Sequence, residues 1–243
     1  MILECDIGNT RCKWRVLGEG AEETRGAFDC VDGFGGLPSL DGIRRVKVSS
    51  VAGSAVNEEL TRTLASMKLE IEFARTSPLK AGVENAYANA SKLGVDRWVA
   101  MIAGYNRCRG SVLVLDAGSA LTVDLVADNG KHLGGYITPG IQLMKSSLLA
   151  ETDGVQFDLH HHSSGTAFGA DTANAVHAGV VAAQVGAIIV AIEEASRQVS
   201  ADFAILLTGG DANVVYTNLP ASISARVTLV PELVLDGLQW VLP

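Results

Sequence analysis

Two short segments set chemically useful residues side by side. Asp6-Ile7-Gly8-Asn9-Thr10 and Asp116-Ala117-Gly118-Ser119-Ala120 each follow an apolar run, and each places a carboxylate, a glycine and small hydroxyl or amide groups within one turn. Glycine lets the backbone turn sharply and come close to a ligand. The N–H groups of such a turn can point at a phosphate. The aspartate at the strand end can hold a divalent cation, directly or through water. One such turn alone reads equally well as a hairpin connection. Its recurrence, and a third glycine-rich turn at Thr208-Gly209-Gly210-Asp211-Ala212, favour phosphate binding. Two such turns facing each other would grip a nucleotide's phosphates from both sides. Lys13 follows the first turn and could meet those phosphates, or be an ordinary exposed strand lysine. In Gly94-Val95-Asp96-Arg97, the carboxylate can orient a hydroxyl and accept its proton. The guanidinium beside it can hold a carboxylate or phosphate by a forked contact. Without further context, Asp96-Arg97 reads as an ordinary charged helix start.

The elements that must carry these residues follow from hydrophobic period. Residues 1–16 and 112–127 read as β-hairpins, and residues 17–42 as a further strand and a loop. Val46, Val48 and Val51 mark a strand over 44–51, ending near Ser49-Ser50. Leu60 and Leu64, one helical turn apart, predict a helix over 56–67. Ile71–Phe73 is a short strand, and Val95, Trp98, Val99 and Ile102 share one face of a helix over 92–108. Helices are predicted at 141–150 and 172–196, a strand at 203–207, and a short strand and helix in 228–242. Strands mixed with helices, in a pattern repeated once, predict two similar α/β domains, 1–110 and 111–243, with a cleft between them.

Composition bounds the possibilities. The chain has 243 residues, 48% hydrophobic and 19% charged, which suits a globular protein of one large or two modest domains. A net charge of -8 argues against general nucleic-acid binding. An anionic nucleotide would then depend on local N–H groups, a cation and a metal ion. Cys5, Cys12, Cys30 and Cys108 form no CxxC pair and read as reduced thiols of a cytoplasmic protein. The N-terminus has no signal-peptide pattern. The apolar stretch Ala178 to Ile192 is short of a bilayer span and reads as a buried helix, so no membrane association is expected. Adjacent side chains of an extended segment point to opposite faces, so His160-His161-His162 reads as a solvated loop rather than a metal site.

The three turns in this order resemble the two phosphate motifs and the adenosine motif of the acetate kinase, sugar kinase, Hsp70 and actin superfamily. The resemblance implies duplicated ribonuclease H-like (actin-like ATPase) domains with the nucleotide cleft between them. Four motifs together narrow it: Asp6-x-Gly8-Asn9-Thr10-x-x-Lys13, Gly94-x-Asp96-Arg97, Asp116-x-Gly118-Ser119-Ala120-x-Thr122-x-Asp124, and Gly134-Gly135-x-Ile137-x-Pro139-Gly140. In that order they resemble type III pantothenate kinase over residues 2 to about 215.

That resemblance implies ATP-dependent phosphorylation of pantothenate to 4′-phosphopantothenate, the first step of coenzyme A synthesis. It implies Asp96 as catalytic base, and Asp6, Ile7, Gly8, Asn9, Thr10, Arg11, Cys12, Lys13 and Ser119 at ATP. It implies Tyr87, Gly94, Val95, Asp96, Arg97 and Thr172 at pantothenate. Thr172, at a helix start, could otherwise be a hydroxyl that satisfies an orphan N–H. Asp116 would hold a monovalent cation, K⁺ or ammonium, and Asp6 would anchor Mg²⁺, directly or through water, with Asp124 a second acidic candidate. Ser119 stands where the family usually has Thr, which keeps the hydroxyl. A homodimer is implied. Proteins with this pattern also include accessory factors for transcription, and a related acetate- or sugar-type kinase is a further alternative.

Overall fold

The computed structural model describes residues 1–18, 23–30, 33–65, 67, 69–159, 165–200 and 202–243. The His160-His161-His162 segment lies outside the described residues. The chain forms two compact units, Met1–Arg107 with Leu233–Pro243, and Cys108–Glu232.

In the first unit, the apolar run before Asp6 forms β1 (Ile2–Ile7) and turns at Gly8 into β2 (Arg11–Leu17). Then come β3 (Thr24–Asp29), β4 (Arg45–Ser50), α1 (Ser54–Ala65), β5 (Glu70–Phe73), a small ladder of β6 (Leu79–Lys80) with β7 (Val83–Glu84), and α2 (Val95–Cys108). The main sheet runs β3-β2-β1-β4-β5. β1, β2 and β3 pair antiparallel, while β4 and β5 run parallel to β1. Alternation along the strands separates two faces. Leu3, Cys5, Ile7, Val46 and Val48 join Leu60 and Leu64 of α1 in one core. Glu4 and Asp6 lie on the other face, flanked in register by Arg15 and Lys13 on β2 and by Lys47 and Ser49 on β4.

The second unit repeats this plan. It contains β8 (Val112–Ala117), β9 (Ala120–Val126), β10 (His132–Pro139), α3 (Ile141–Glu151), α4 (Thr172–Gln198), β11 (Ala204–Thr208), α5 (Ala212–Asn218), α6 (Ala221–Ser224) and β12 (Val227–Leu229). Its sheet runs β10-β9-β8-β11-β12. Again three antiparallel strands are followed by two parallel ones. The same strand order built twice is the duplicated ribonuclease H-like arrangement. Leu113, Leu115, Leu121, Val123 and Leu125 pack against Val181, Val185, Ile188 and Ile192 of α4. By length and composition α4 could cross a membrane, yet half of its apolar window is buried inside the protein. That burial fits the core helix expected there.

One boundary differs from expectation. The sequence reading puts all of 111–243 in one domain, but the last helix, α7 (Leu233–Val241), belongs with the first unit. There Asp236 accepts a hydrogen bond from Arg15 NH1 at 2.6 Å, and Gly237 lies against the Val99 backbone. Arg15 also donates from Nε to Glu4 Oε2 at 2.6 Å. Glu4 is 1% exposed, and burial, its largest influence, raises its pKa against the opposing pull of Arg15.

Candidate active site

The first turn closes as its sequence requires. Gly8 N–H donates to the Arg11 carbonyl at 2.9 Å, which leaves Asn9, Thr10 and Arg11 exposed at the tip. Ile7 and Cys12 are fully buried, so only their backbones can serve a nucleotide. Contact with Cys5, and then burial, raise the Cys12 thiol, and burial pushes Cys30 up to about 11. These sulfurs therefore stay protonated at neutral pH. Lys13 stands opposite Asp6 in the β1–β2 register, which puts a cation beside the strand-end carboxylate.

Asp96 lies in the first turn of α2, where its Oδ1 accepts the Arg97 N–H at 2.7 Å. A carboxylate near a helix N-terminus is stabilised by the unsatisfied N–H groups there. Arg97 is 7% exposed and donates from NH1 to the Tyr87 hydroxyl at 3.2 Å. Its guanidinium carbon also lies 6.0 Å from the Tyr87 ring centroid. Tyr87 is in turn fixed by its own N–H, which donates to Asn85 Oδ1 at 2.9 Å. Tyr87, Asp96 and Arg97 thus form one cluster, presenting a carboxylate, a guanidinium and a phenol.

In the second unit, three turns converge on the end of β8. Gly118 N–H donates to the Ala120 carbonyl at 3.0 Å, and Gly140 N–H donates to the Ser119 carbonyl at 3.0 Å. A side chain at Gly140 would collide with the Gly118 carbonyl oxygen. Gly209 adopts φ +103° against Ala117 and the Asp116 carboxylate, a conformation that glycine alone takes readily. Asp211 N–H then donates to the Ala117 carbonyl at 2.8 Å. Asp116, exposed Ser119 and the 208–212 turn therefore form one local surface.

Asp124 does not share it. Asp124 is 1% exposed, and its Oδ1 lies 3.0 Å from Nε2 of the fully buried His132. That carboxylate is committed to the fold, so Asp124 is set aside as a second metal anchor. Asp171, not Thr172, caps α4, accepting the Asn174 N–H at 2.9 Å. The capping role considered for Thr172 thus falls to its neighbour. Exposed Thr172 lines a mostly apolar cavity of about 820 Å³ with Met144, Leu148, Val176 and Val180.

Two residues escaped the sequence reading. Lys145 of α3 is 1% exposed; burial lowers its pKa, and the charge of Asp211 acts in the opposite direction. Its signal was a lysine one helical turn after the buried Ile141, on the apolar face of α3. Ser49 of β4 is fully buried beside Asp6, and its hydroxyl has no hydrogen-bond partner. No sequence signal marks it.

Among the described residues, no group of three or more His, Cys, Asp or Glu side chains could hold a metal ion. A single strand-end carboxylate, that of Asp6, in register with the hydroxyl of Ser49, suits Mg²⁺. That ion keeps several waters and binds through one or two carboxylates plus substrate phosphates.

The sequence model of the family described as Type III pantothenate kinase matches residues 2–194. The chain is similar to a type III pantothenate kinase of Ectopseudomonas mendocina (strain ymp), 35% identical across 100% of this chain and 99% of that protein. One from Marinobacter nauticus is 37% identical across 98% of this chain and 97% of its own length. Among solved structures, a Sinorhizobium meliloti protein assigned as a 2-dehydro-3-deoxygalactonokinase shares the fold. Its TM-score is 0.59 at 13% identity, over 98% of this chain and 97% of that one.

Proposed function

Because the chain belongs to the type III pantothenate kinase family, we propose that it transfers the γ-phosphoryl group of ATP to the primary hydroxyl of pantothenate. The product is 4′-phosphopantothenate, on the route to coenzyme A. The observation that carries this reading is the Tyr87–Asp96–Arg97 cluster on a chain that also has two Asp-x-Gly turns. Phosphoryl transfer demands an oriented nucleophile and neutralised phosphate charge more than covalent participation by the protein. Asp96 orients the pantothenate hydroxyl and takes its proton late in the transfer. Arg97 and Tyr87 hold the polar remainder of pantothenate beside Gly94 and Val95, and Thr172 is a further proposed contact to it. Asp6 to Lys13 and Ser119 hold ATP, the first turn through backbone N–H groups and the Lys13 ammonium. The divalent ion bound with ATP neutralises phosphate charge, and Asp6 is its anchor. The direct test is phosphorylation of pantothenate by the purified protein, read by mass spectrometry.

Arg97 separates substrate binding from nucleotide binding. Its guanidinium is ordered by Tyr87 and lies next to the proposed base. Arg97→Ala should raise KM for pantothenate by about 10-fold or more, since hydrogen bonds to charged groups contribute about 1.5–3 kcal/mol. KM for ATP should change little. Steady-state kinetics with each substrate varied decides it. An effect on ATP alone would move Arg97 to the phosphate site.

Asp116 is proposed as the ligand of a monovalent cation. It ends β8 within the surface formed by the 116–120 and 208–212 turns. Activity in buffers holding only Na⁺ or Tris should be low and rise on adding K⁺ or ammonium. Equal rates in all of them would remove this role.

A homodimer is also proposed. The second unit exposes several large apolar side chains, with Ile137 63%, Leu143 50%, Phe168 105% and Val190 55% exposed. Exposed apolar side chains that form a contiguous patch mark association surfaces. In this reading the enzyme is cytoplasmic, in keeping with four cysteines that form no disulfide.

A further inference from the structure

Ser49 is fully buried, and its hydroxyl finds no hydrogen-bond partner. Leaving a buried hydroxyl unsatisfied costs about 1–3 kcal/mol. Buried polar groups are nearly always satisfied, by protein or by ordered water. The following residue behaves in the ordinary way, since Ser50 Oγ donates to Asn57 Oδ1 at 2.6 Å. Among the described residues, Ser49 Oγ is one of several buried side-chain atoms without a partner, with Trp98 Nε1 and Thr138 Oγ1.

Its place in the sheet gives the reason. β1 lies between β2 and β4. The registers set Lys13 beside Asp6 on one side and Ser49 beside Asp6 on the other. Side chains paired across neighbouring strands project from the same face. Lys13, Asp6 and Ser49 thus form one row, at the strand ends that lead into the first phosphate turn. The row two residues earlier, Arg15, Glu4 and Lys47, is closed within the fold by the bonds from Arg15 to Glu4 and Asp236. In the Asp6 row, the Ser49 hydroxyl keeps unused lone pairs and an unused proton.

We propose that Ser49 is a positioning residue for the divalent ion of the metal–nucleotide, its Oγ holding a water of the hydration shell of the ion anchored at Asp6. The proposal rests on the reading of this chain as an ATP-dependent kinase. A buried water needs two to four polar partners, and Asp6 and Ser49 supply two from adjacent strands. Mg²⁺ dehydrates reluctantly, so its waters are the atoms a protein must hold in place. Partners one shell away from a metal typically alter its affinity by about 10- to 100-fold when removed.

Ser49→Ala is the test, because its two readings diverge. If the hydroxyl were only an unsatisfied group, its removal would leave Tm unchanged or raised, since a desolvation cost disappears. The response to metal would then be unaltered. As a positioning residue, Ser49 behaves differently. With ADP fixed and Mg²⁺ titrated, the Mg²⁺ concentration for half of the ADP-dependent rise in Tm should increase about 10-fold. The Mg²⁺ needed for half-maximal rate should increase in parallel. KM for pantothenate should stay within about twofold, because this interaction is not made to pantothenate. An unchanged Mg²⁺ half-saturation overturns the proposal. Ser49→Cys, a poorer acceptor of similar shape, is read the same way if the alanine variant does not fold. A wild-type protein that phosphorylates no pantothenate would sink the kinase reading alone, because the Mg²⁺ titration with ADP still decides the role of Ser49. A wild-type Tm that ignores MgADP would overturn both.

Discussion

Asp96→Asn is expected to lower kcat by about 10² to 10⁴, the usual contribution of a positioned general base. The helix start should survive the change. Asp96 Oδ1 accepts the Arg97 N–H at 2.7 Å, and an asparagine side-chain carbonyl can accept the same bond. In the proposed mechanism, what is lost is the negative charge that would orient the pantothenate hydroxyl and the capacity to take its proton. Because the lost interaction belongs to the transition state, kcat and kcat/KM should fall together. KM for ATP and the melting temperature should stay close to wild type. Steady-state kinetics and a thermal melt on one preparation check this. A variant that turns over at nearly the wild-type rate would exclude Asp96 as the base.

Arg15→Ala is expected to destabilise the protein by about 3–5 kcal/mol, because it leaves a buried charge without its partner. Arg15 reaches Glu4 and Asp236 at 2.6 Å each, and Glu4 is 1% exposed. Without Arg15 the Glu4 carboxylate would stand in the sheet with only the more distant Lys47 charge to offset its burial. The contact that holds α7 to β2 would go too. The deficit should depend on pH. Burial already raises the Glu4 pKa above its ordinary value, and loss of Arg15 raises it further. A carboxyl raised by folding stabilises the folded state at acid pH, and that stabilisation is lost as pH climbs through the raised value. The difference between variant and wild type should therefore be largest at neutral pH. It should shrink as pH falls toward the ordinary carboxylate range. Urea melts at several pH values measure it. A loss under about 1 kcal/mol at pH 7 would mean that this ion pair contributes no more than a surface one.

Much of the architecture was legible because it depends on local pattern. The hairpins at 2–16 and 112–126 announce themselves by apolar runs broken at Asp-x-Gly, and both form as read. Helices α1, α2 and α4 follow from apolar residues at helical spacing. β10 was harder to see. It carries two adjacent glycines and a register shift between His132 and Gly134, neither of which resembles strand composition. The placement of α7 was not legible at all. Periodicity gives a helix an apolar face but does not say which sheet receives it. The decisive contact, from Arg15 to Asp236, joins residues 221 positions apart. The candidate site shows the same division. Asp6, Gly8 and Asp116 stood out because the Asp-x-Gly turn recurs, and Asp96 and Arg97 because the family resemblance picks out Gly94-x-Asp96-Arg97. Ser49 and Lys145 did not, because their meaning comes from strand register and burial.

The central claim is tested most directly by incubating purified protein with ATP, Mg²⁺, K⁺ and, in parallel, pantothenate, acetate, glycerol or glucose, and identifying products by mass spectrometry. A site that hydrogen-bonds specific polar groups rejects analogues lacking them by large factors. The account predicts phosphopantothenate and ADP in equal amounts, with little or no phosphorylation of the other three. Absence of phosphopantothenate, or faster turnover of acetate or a sugar, would contradict it.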